Sequence, residues 1–189
     1  MTAATAPVNH FIMKHAFAWV VLCAASLLNS LAADAPATFK VSELTFKRPG
    51  SWEWVETASP MRKAQLKVND ADKKNSAEVV FFHFGSSNGG GVKANVDRWF
   101  SQFQEPREKI AAKSEETTIG KHKVTFVRAE GTFLSGMPGG TRTPQSNYAL
   151  RGAIIESAEG DVFVKMTGPA VLVKSAEDDF RKLIESALK

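Results

Sequence analysis

Serine and histidine side chains that lie close together in the sequence are the first candidates for chemistry. His83 lies within the apolar run AEVVFFHF, and Ser86 and Ser87 follow that run. An imidazole that takes the proton of a serine hydroxyl makes that oxygen a nucleophile. A catalytic triad also needs a third group that orients the imidazole, and sequence spacing does not identify one. We therefore assign no catalytic residue and keep a small envelope hydrolase, using Ser86 or Ser87 with His83, as the alternative function.

The same segment contains a glycine-rich stretch of the kind that can bind phosphate. Strand, glycine loop and helix N-terminus in this order can direct backbone N–H groups at an anion. The Gly-Lys-Ser/Thr ending of a P-loop is missing, however, and a flexible strand-to-helix connection explains the same residues. The residues of this candidate anion loop are Ser87, Asn88, Gly89, Gly90, Gly91 and Lys93.

Metal ligation has little support in the sequence. From residue 33 onward the histidines are His83 and His122, without a cysteine or a second histidine at ligand spacing. His83 lies within an apolar strand, and His122 stands between two lysines at the start of another. We predict no metal site and no cofactor.

Two tryptophans and a long loop are the best candidates for a binding surface. Trp52 and Trp54 alternate along one strand and would share a face; most such pairs belong to the core, but some line a groove. Residues 134–147 contain three glycines and two prolines, which predicts a long mobile loop. Because loops on rigid scaffolds often carry function, we expect Met137 and Arg142 to join the two tryptophans in ligand or partner contact.

The elements that must position these residues are mostly β-strands, according to the alternation of apolar and polar side chains. Residues 39–46 change phase midway, which predicts a bulge or a late start. Residues 77–84, AEVVFFHF, are apolar on both phases and predict an interior strand covered on both faces. The other predicted strands comprise residues 51–55, 61–68, 121–133, 148–157 and 162–167.

Two segments have helical periodicity. Apolar residues from Val92 to Phe103 recur on one face, and Pro106 ends the pattern. A second stripe predicts a closing helix from about Ser175, whose hydroxyl stands at capping-box spacing. Two helices and six to eight largely sequential strands predict an α+β fold, in which an antiparallel β-sheet packs between or against helices.

Four segments, taken in order, resemble a known family. They are LTFKRPGSWEW (44–54), AEVVFFHF with the following VDRWFSQF (77–103), GAIIESAEGDVFVKMTGP (152–169) and the closing helix with Phe180 and Leu183. In this order they are similar to the PsbP-like family, whose fold is shared by the photosystem subunit PsbP, the Ran-binding protein Mog and bacterial envelope lipoproteins. The resemblance implies a central antiparallel sheet between helices. It implies no activity, because fold analogy alone does not carry function.

The N-terminal segment has the pattern of a secretory signal peptide. Lys14 is the single charge in residues 1–32, and an uncharged apolar run follows it. Ser30 and Ala32 place small side chains at the −3 and −1 positions of a cleavage site. We predict a signal peptide of residues 1–32 that is removed after Ala32.

After cleavage, a short leader at residues 33–38 would precede a single domain at residues 39–189. An uncleaved membrane anchor is one alternative, since the uncharged run is just long enough to span a bilayer. Lipid attachment at Cys23 is another, although the bulky Leu22 before it fits a lipoprotein signal poorly.

Composition restricts the class of partner. The chain has 24 basic and 20 acidic residues, and the basic ones are scattered rather than clustered, so we expect no nucleic-acid binding. Cys23 is the single cysteine, and no Asn-x-Ser/Thr sequon occurs, which favours a bacterial envelope over a eukaryotic secretory route. We expect a monomeric, exported, periplasmic or secreted binding or accessory domain without enzymatic activity. Its partner would be an unknown envelope protein or small ligand, and membrane contact would come only from an uncleaved signal or a lipid.

The cleavage site can be tested by mass. When the full chain is expressed in a bacterium, the envelope fraction should contain a protein that begins at Ala33. Replacing Ala32 with Arg should abolish this product, because signal peptidase sites require a small residue at the −1 position. Intact mass and N-terminal sequencing measure both outcomes, and an envelope protein that still begins at Met1 would contradict the prediction.

Overall fold

The computed structural model of this chain describes four stretches, residues 1–2, 35–86, 89–136 and 140–189. Apart from its first two residues, the predicted signal peptide lies outside the described residues, and so do Cys23, Ser87, Asn88 and Met137. The chain divides into the units Met1–Ala33 and Asp34–Lys189. Of the helices in the described stretches, none combines the length and apolarity needed to cross a membrane.

Alternating burial defines most strands of the second unit. In β4, for example, Ala64, Leu66 and Val68 are buried, whereas the side chains between them face the other side of the sheet. The strands are β1 (Thr38–Val41), β2 (Leu44–Lys47), β3 (Glu53–Trp54), β4 (Arg62–Asn69), β5 (Ser76–His83), β6 (Lys113–Ile119), β7 (His122–Ser135), β8 (Thr143–Ile155) and β9 (Val162–Pro169).

Helices form where apolar residues recur every three to four positions. In the first helix the buried stripe includes Val96, Trp99 and Phe100, as the spacing predicts. The helices are α1 (Val92–Phe100), α2 (Ala170–Ser175) and α3 (Glu177–Ser186), with a 3₁₀ turn at Arg107–Lys109.

Seven strands form one antiparallel sheet with the order β3-β4-β5-β9-β8-β7-β6. Strands β1 and β2 form a separate hairpin. The predicted α+β class is therefore confirmed, and β5 lies inside the sheet as its apolar phases predict. The last strand, β9, inserts between β5 and β8, so it joins the first half of the chain to the second.

The two faces of the sheet are covered differently. The face that we call the two-helix face packs on α2, α3 and the β1–β2 hairpin, with Phe46, Phe180 and Leu183 in its core. The opposite α1 face packs on the shorter helix α1, with Trp99 and Phe163 in its core. Both faces of β9 are thus buried along most of its length.

A buried arginine fastens the two-helix face. Arg151 of β8 is 5% exposed, and its Nε donates a hydrogen bond to Glu177 Oε2 at 2.8 Å, at the start of α3. Its Nη2 lies 3.4 Å from Glu130, which also pairs with Lys174 of α2 at 2.7 Å. The cavity beside this network has a volume of about 30 Å³, too small for an organic ligand. The network therefore joins strands to helices and leaves no ligand site there.

The phase change in residues 39–46 has a different cause from the predicted bulge or late start. The segment is two strands, β1 and β2, whose register pairs Phe39 with Phe46 across a tight turn. Ser42 in that turn has φ of 55°. A two-residue turn reverses the chain and changes which residues face the core, so both apolar phases pack on the same side.

The predicted closing helix corresponds to α3, which begins at Glu177, and a short helix that the sequence pattern does not predict, α2, precedes it. Helix α2 starts directly after Pro169, and its Val173 is fully buried, so the apolar stripe already begins there. Ser175 ends α2 and donates its hydroxyl to the Leu172 carbonyl at 2.8 Å, so it does not cap the N-terminus of a helix. Ala176 separates α2 from α3.

The predicted loop at residues 134–147 is shorter in the structure. Strand β7 continues to Ser135 and β8 begins at Thr143, which leaves residues 136–142 as the connection. Pro144, one of the two prolines on which the loop prediction rests, lies in β8 and pairs with Leu134. Proline fits because β9 ends opposite Tyr148, so this part of β8 has a strand neighbour on only one side, the setting in which sheets tolerate proline.

The contact between β8 and α1 can be tested with a single methyl group. A Cβ at Gly152 would lie 2.3 Å from Cζ3 of Trp99, so Gly152→Ala should lower the free energy of unfolding by about 1–3 kcal/mol through overpacking. Gly50→Ala is the matched control, because no atom lies within 4 Å of its Cβ position. Urea unfolding measures both, and equal stability of the two variants would contradict the contact. Adding Trp99→Leu to Gly152→Ala should recover part of the loss.

Candidate ligand groove

A polar groove lies on the α1 face, beside the part that α1 covers. Its cavity volume is about 490 Å³, within the range of about 300–1,000 Å³ typical of small-molecule sites. Strands β4, β5 and β9 form the floor, and the wall comes from the chain after α1 and from the distal end of the β7–β8 hairpin. The charged side chains that line this groove are Arg62, Lys67, Glu78 and Lys165.

The sheet register brings the floor residues together. Lys67 of β4, Glu78 of β5 and Thr167 of β9 lie opposite one another. Gln65 and Lys165 occupy the next row, on either side of β5. Residues directly opposite on neighbouring antiparallel strands point to the same face. Polar groups from distant parts of the chain therefore converge on one surface.

Backbone hydrogen bonds hold the wall in place. After α1 the chain runs beside the distal part of β7, where the Leu134 N–H donates to the Gln102 carbonyl at 2.8 Å. The Glu105 carboxylate accepts the Thr132 N–H at 2.9 and 3.1 Å, and this interaction with Thr132 lowers the pKa of Glu105. The hairpin end is thus anchored where β6 no longer pairs with β7.

Glu78 provides a negative charge in the groove, and that charge is compensated. Its Oε1 accepts hydrogen bonds from Arg62 Nη1 at 2.5 Å and from Gln65 Nε2 at 2.9 Å. The side chains of Arg62 and Glu78 are both more than a third exposed, so this ion pair adds little to the stability of the fold. Because Glu78 pairs with Arg62, the ion pairs found among the described residues include neither Lys67 nor Lys165.

Lys165 is the most perturbed group of the groove. Its side chain is half-buried, its Nζ donates to Gln102 Oε1 at 3.1 Å, and Nζ lies 5.8 Å from the centroid of the Phe133 ring. Burial lowers the pKa of Lys165 to about 8, with a further lowering by two neighbouring arginines and an opposing effect of Glu78. Because the ammonium group of Lys165 is poorly hydrated when it is protonated, an anionic group of a ligand would interact with it strongly.

The predicted tryptophan pair lies on the other side of the sheet. Trp52 is 2% exposed and belongs to the core of the two-helix face. Trp54 pairs with Leu66 in the register, packs on Phe39 at 5.3 Å between ring centroids, and donates its Nε1–H to Glu56 at 2.7 Å. The hairpin end lines the groove on the α1 face, so the structure does not bring the tryptophans and the hairpin into one surface.

The hairpin part of the predicted surface stays a prediction. Arg142 is exposed on the connection between β7 and β8, and Met137 lies outside the described residues. Leu134, Ser135 and Gln145, which belong to the predicted loop, line the groove from both strands of the hairpin.

The candidate anion loop has a structural explanation in its described part. The buried side chain of Asn95 donates to the carbonyls of Gly89 and Gly91 at 2.6 and 2.7 Å, and so fixes the entry to α1. Gly90 and Gly91 both have positive φ, which suits glycine. Lys93 pairs with Asp97 at 2.6 Å on the exposed face of α1. Ser87 and Asn88 are outside the described residues, and anion binding by this loop remains a prediction.

The alternative hydrolase site gains one observation. His83 Nδ1 lies 3.3 Å from the backbone carbonyl of Asp161, whose carboxyl has a pKa raised by burial and lowered in part by the His83 charge. The β8–β9 turn also touches this end of the sheet, since a Cβ at Gly160 would lie 2.4 Å from the Gly85 backbone. Ser86 is exposed, and no described hydrogen bond joins it to His83. The imidazole of His83 therefore contacts the backbone of the β8–β9 turn next to Gly85 and Ser86, and no ion pair with the Asp161 carboxyl occurs among the described residues.

The second histidine shows no ligand geometry. His122 Nδ1 lies 3.0 Å from the Glu156 carbonyl, which explains its half-buried position at the start of β7. No group of three or more His, Cys, Asp or Glu side chains suited to a metal ion occurs in the part of the chain that the structure describes. The absence of a metal remains an expectation.

Sequence patterns contain signals for residues that were not predicted as site residues. Gln65 and Lys67 fall on the polar phase of β4, and Lys165 and Thr167 interrupt an otherwise apolar strand, β9. These signals indicate polar positions but not that two separate strands share a surface. For the alternative site, residues 85–89 read Gly-Ser-Ser-Asn-Gly, which matches the Gly-x-Ser-x-Gly pattern of many hydrolases.

Comparison with known proteins gives matches at the level of fold. No family model and no curated protein sequence matches the chain. The cyanobacterial PsbP protein (CyanoP) of Synechocystis matches with 10% identity and a TM-score of 0.48, over 84% of this chain and 96% of that one. The protein PA94 of Pseudomonas aeruginosa, of unknown function, matches with 12% identity and a TM-score of 0.41, over 80% and 95%. A Bacteroides thetaiotaomicron protein matches with 14% identity and a TM-score of 0.43, over 79% and 47%.

A cyanobacterial PsbP protein thus stands among the structures to which this chain is similar, as the sequence resemblance implied. At these identities and TM-scores the likeness concerns the arrangement of strands and helices. It carries no argument about ligands, partners or activity.

The burial of Lys165 predicts an unusual pH dependence of stability. Its pKa is about 8 in the folded chain, against the ordinary value of 10.5. The unfolded chain therefore binds more protons between these values, and the free energy of unfolding should rise with pH across that window, by about 1–3 kcal/mol. Lys165→Met should remove the rise. Lys109→Met, at an exposed position, controls for the loss of one charge.

Urea unfolding at pH 7.0, 8.5 and 10 measures this effect. A Lys165→Met protein with the same pH dependence as the Lys109→Met protein would contradict the assignment.

Proposed function

We propose that this protein is an exported, non-enzymatic binding or accessory domain of the bacterial cell envelope, and that the groove on the α1 face is its binding site. The observation that carries the proposal is the convergence of Lys165, Lys67 and several amide and hydroxyl side chains on one cavity. Binding sites typically combine a cavity of this size with a few convergent polar groups. Export is supported by the uncharged N-terminal run and its Ser-Leu-Ala ending.

The elements around the groove are fixed by sheet pairing and hydrogen bonds, which supports a preformed binding site. The groove floor belongs to three strands inside the sheet, and hydrogen bonds to the chain after α1 anchor its wall. A preformed site loses less conformational entropy when a ligand binds. Gly136, at the start of the connection between β7 and β8, lines the groove, so we propose that this connection contributes to partner or ligand contact.

A hydrolase remains the second candidate. The approach of the Asp161 segment to His83, together with the serine pattern at residues 85–89, favours it. His83 would act as general base for Ser86 or Ser87, with the Asp161 segment orienting the imidazole. The two candidates use different ends of the sheet, so variants can separate them.

Binding in the groove can be tested without knowing the ligand. A library of small fragments of mixed charge, titrated into the ¹⁵N-labelled full-length protein, should shift backbone signals of residues around the groove. Thr167→Phe fills the floor and should abolish these shifts, because the ring occupies ligand space. Thr118→Phe makes the same change at an exposed position of the edge strand β6 and should leave them intact. Shifts that persist in Thr167→Phe, or no groove shifts at all, would contradict the proposal.

Activity screens address the alternative. Esterase, phosphatase and peptidase substrates should show no turnover by the purified protein. Turnover that disappears in His83→Ala but survives in His122→Ala would overturn the non-enzymatic assignment. The control is matched, because the Nδ1–H of each histidine donates one hydrogen bond to a backbone carbonyl.

A further inference from the structure

The groove also has an excess of positive charge. Arg62 and Lys67 of β4 and Lys165 of β9 line it, against one carboxylate, Glu78 of β5. That carboxylate already accepts hydrogen bonds from Arg62 and Gln65. Two ammonium groups are therefore left without a paired anion among the described residues.

Glu53 of β3 lies opposite Lys67 in the register, is exposed and accepts a hydrogen bond from Asn69, so it offsets part of the charge of Lys67. Glu78, in contrast, is the carboxylate that acts on Lys165. Arg98 of α1 adds a positive charge close enough to act on Lys165. Tyr148 of β8 is a titratable side chain on the wall, and the hairpin contributes Phe133, Leu134 and Ser135. A cation would thus meet repulsion in this groove, whereas an anion would relieve the mutual repulsion of the basic groups.

The position of Lys165 suits a direct contact with such an anion. An ammonium group has three N–H donors. One donates to Gln102 Oε1 at 3.1 Å, and the Phe133 ring lies on another side. The remaining donors have no acceptor among the hydrogen bonds found in the described residues. Strand β9 fixes the position of the Lys165 side chain. Because burial leaves its ammonium group poorly hydrated, an anionic oxygen that binds there displaces little water.

The shape of the groove distinguishes an organic acid from a bare ion. Val55, Phe133 and Leu134 provide apolar surface beside the polar floor. A cavity of about 490 Å³ is far larger than one small ion requires. Apolar surface contributes affinity only for a ligand that has a carbon body to bury.

We propose that the groove binds a small organic acid, with its anionic group at Lys165 and its carbon body against Phe133 and Leu134. The inference rests on the proposed binding function and specifies the ligand class of that site. Benzoate serves as the probe, benzamide as its neutral isostere, and inorganic phosphate as the anion without a carbon body.

The charge preference is measured on the full-length protein by NMR titration at pH 7. Benzoate should bind in the groove at least about tenfold more tightly than benzamide or phosphate, because only benzoate combines a charge with a ring. Lys165→Met should weaken benzoate binding by about tenfold or more, Lys165→Arg should retain part of it, and Lys63→Met, an exposed change on β4, should leave it unaltered. Dispersed amide signals confirm that each variant is folded.

The pH profile provides a second readout. Benzoate binding should weaken by about tenfold between pH 7.5 and 9, since Lys165 loses its proton in that interval, whereas Lys165→Arg should bind equally well at both. A flat profile for the unsubstituted protein would overturn the assignment of the anion to Lys165.

The outcomes separate this inference from the function on which it rests. Equal binding of benzamide and benzoate in the groove would overturn the anion preference and leave the binding function standing. Equal binding of phosphate and benzoate would overturn the organic acid and leave a simple anion site. A fragment library without any groove binder would overturn both.

Discussion

The short length of α1 determines how much of one sheet face is covered and how much is left for a groove. A helix of nine residues is about 14 Å long, whereas seven strands span about 29 Å between the outermost two. The helix therefore covers one part of its sheet face, where Trp99 packs on Gly152 and Phe163 is buried. The other part, over β4, β5 and β9, faces the groove. A sheet surface without helical cover is stable in water when its side chains are polar, and Gln65, Lys67, Glu78, Lys165 and Thr167 meet that requirement.

Burial and polarity are balanced differently on the two faces. The two-helix face buries a hairpin and two helices, and Arg151, the one deeply buried charge in the stretches that the structure describes, pairs with Glu177 and Glu130. On the α1 face, Glu78 forms an ion pair with Arg62, whereas the ammonium group of Lys165 donates a hydrogen bond to the neutral amide oxygen of Gln102. A paired buried charge serves structure, whereas a half-buried charge without a counterion remains available to a ligand. This difference is the physical basis for placing binding on the α1 face.

Much of the fold follows from local patterns. Alternation located β4, apolar residues on both phases located β5, helical periodicity located α1, and the resulting α+β class is confirmed. The errors have local physical causes as well. The phase change in residues 39–46 predicts a bulge or a late start, where a two-residue turn at Ser42 separates two strands. The prolines of residues 134–147 predict a loop, although Pro144 lies in β8 beside a free strand edge that only the sheet order reveals. For the site, the alternation of Trp52 and Trp54 predicts that they share a face, but it does not tell that this is the face that the β1–β2 hairpin covers.

The sequence by itself determined the alternating strands, the amphipathic helix, the near balance of charge and the pattern of an export signal, because each depends on residues that are close together in the chain. Tertiary structure alone decided that β9 lies beside β5, and with it that Lys165 shares a surface with Arg62, Gln65 and Glu78. A lysine in an apolar strand does not indicate a ligand site until the residues around it in the folded protein are known. Its lowered pKa arises from burial and from charges on other elements, and pairing between distant strands is what brings them together.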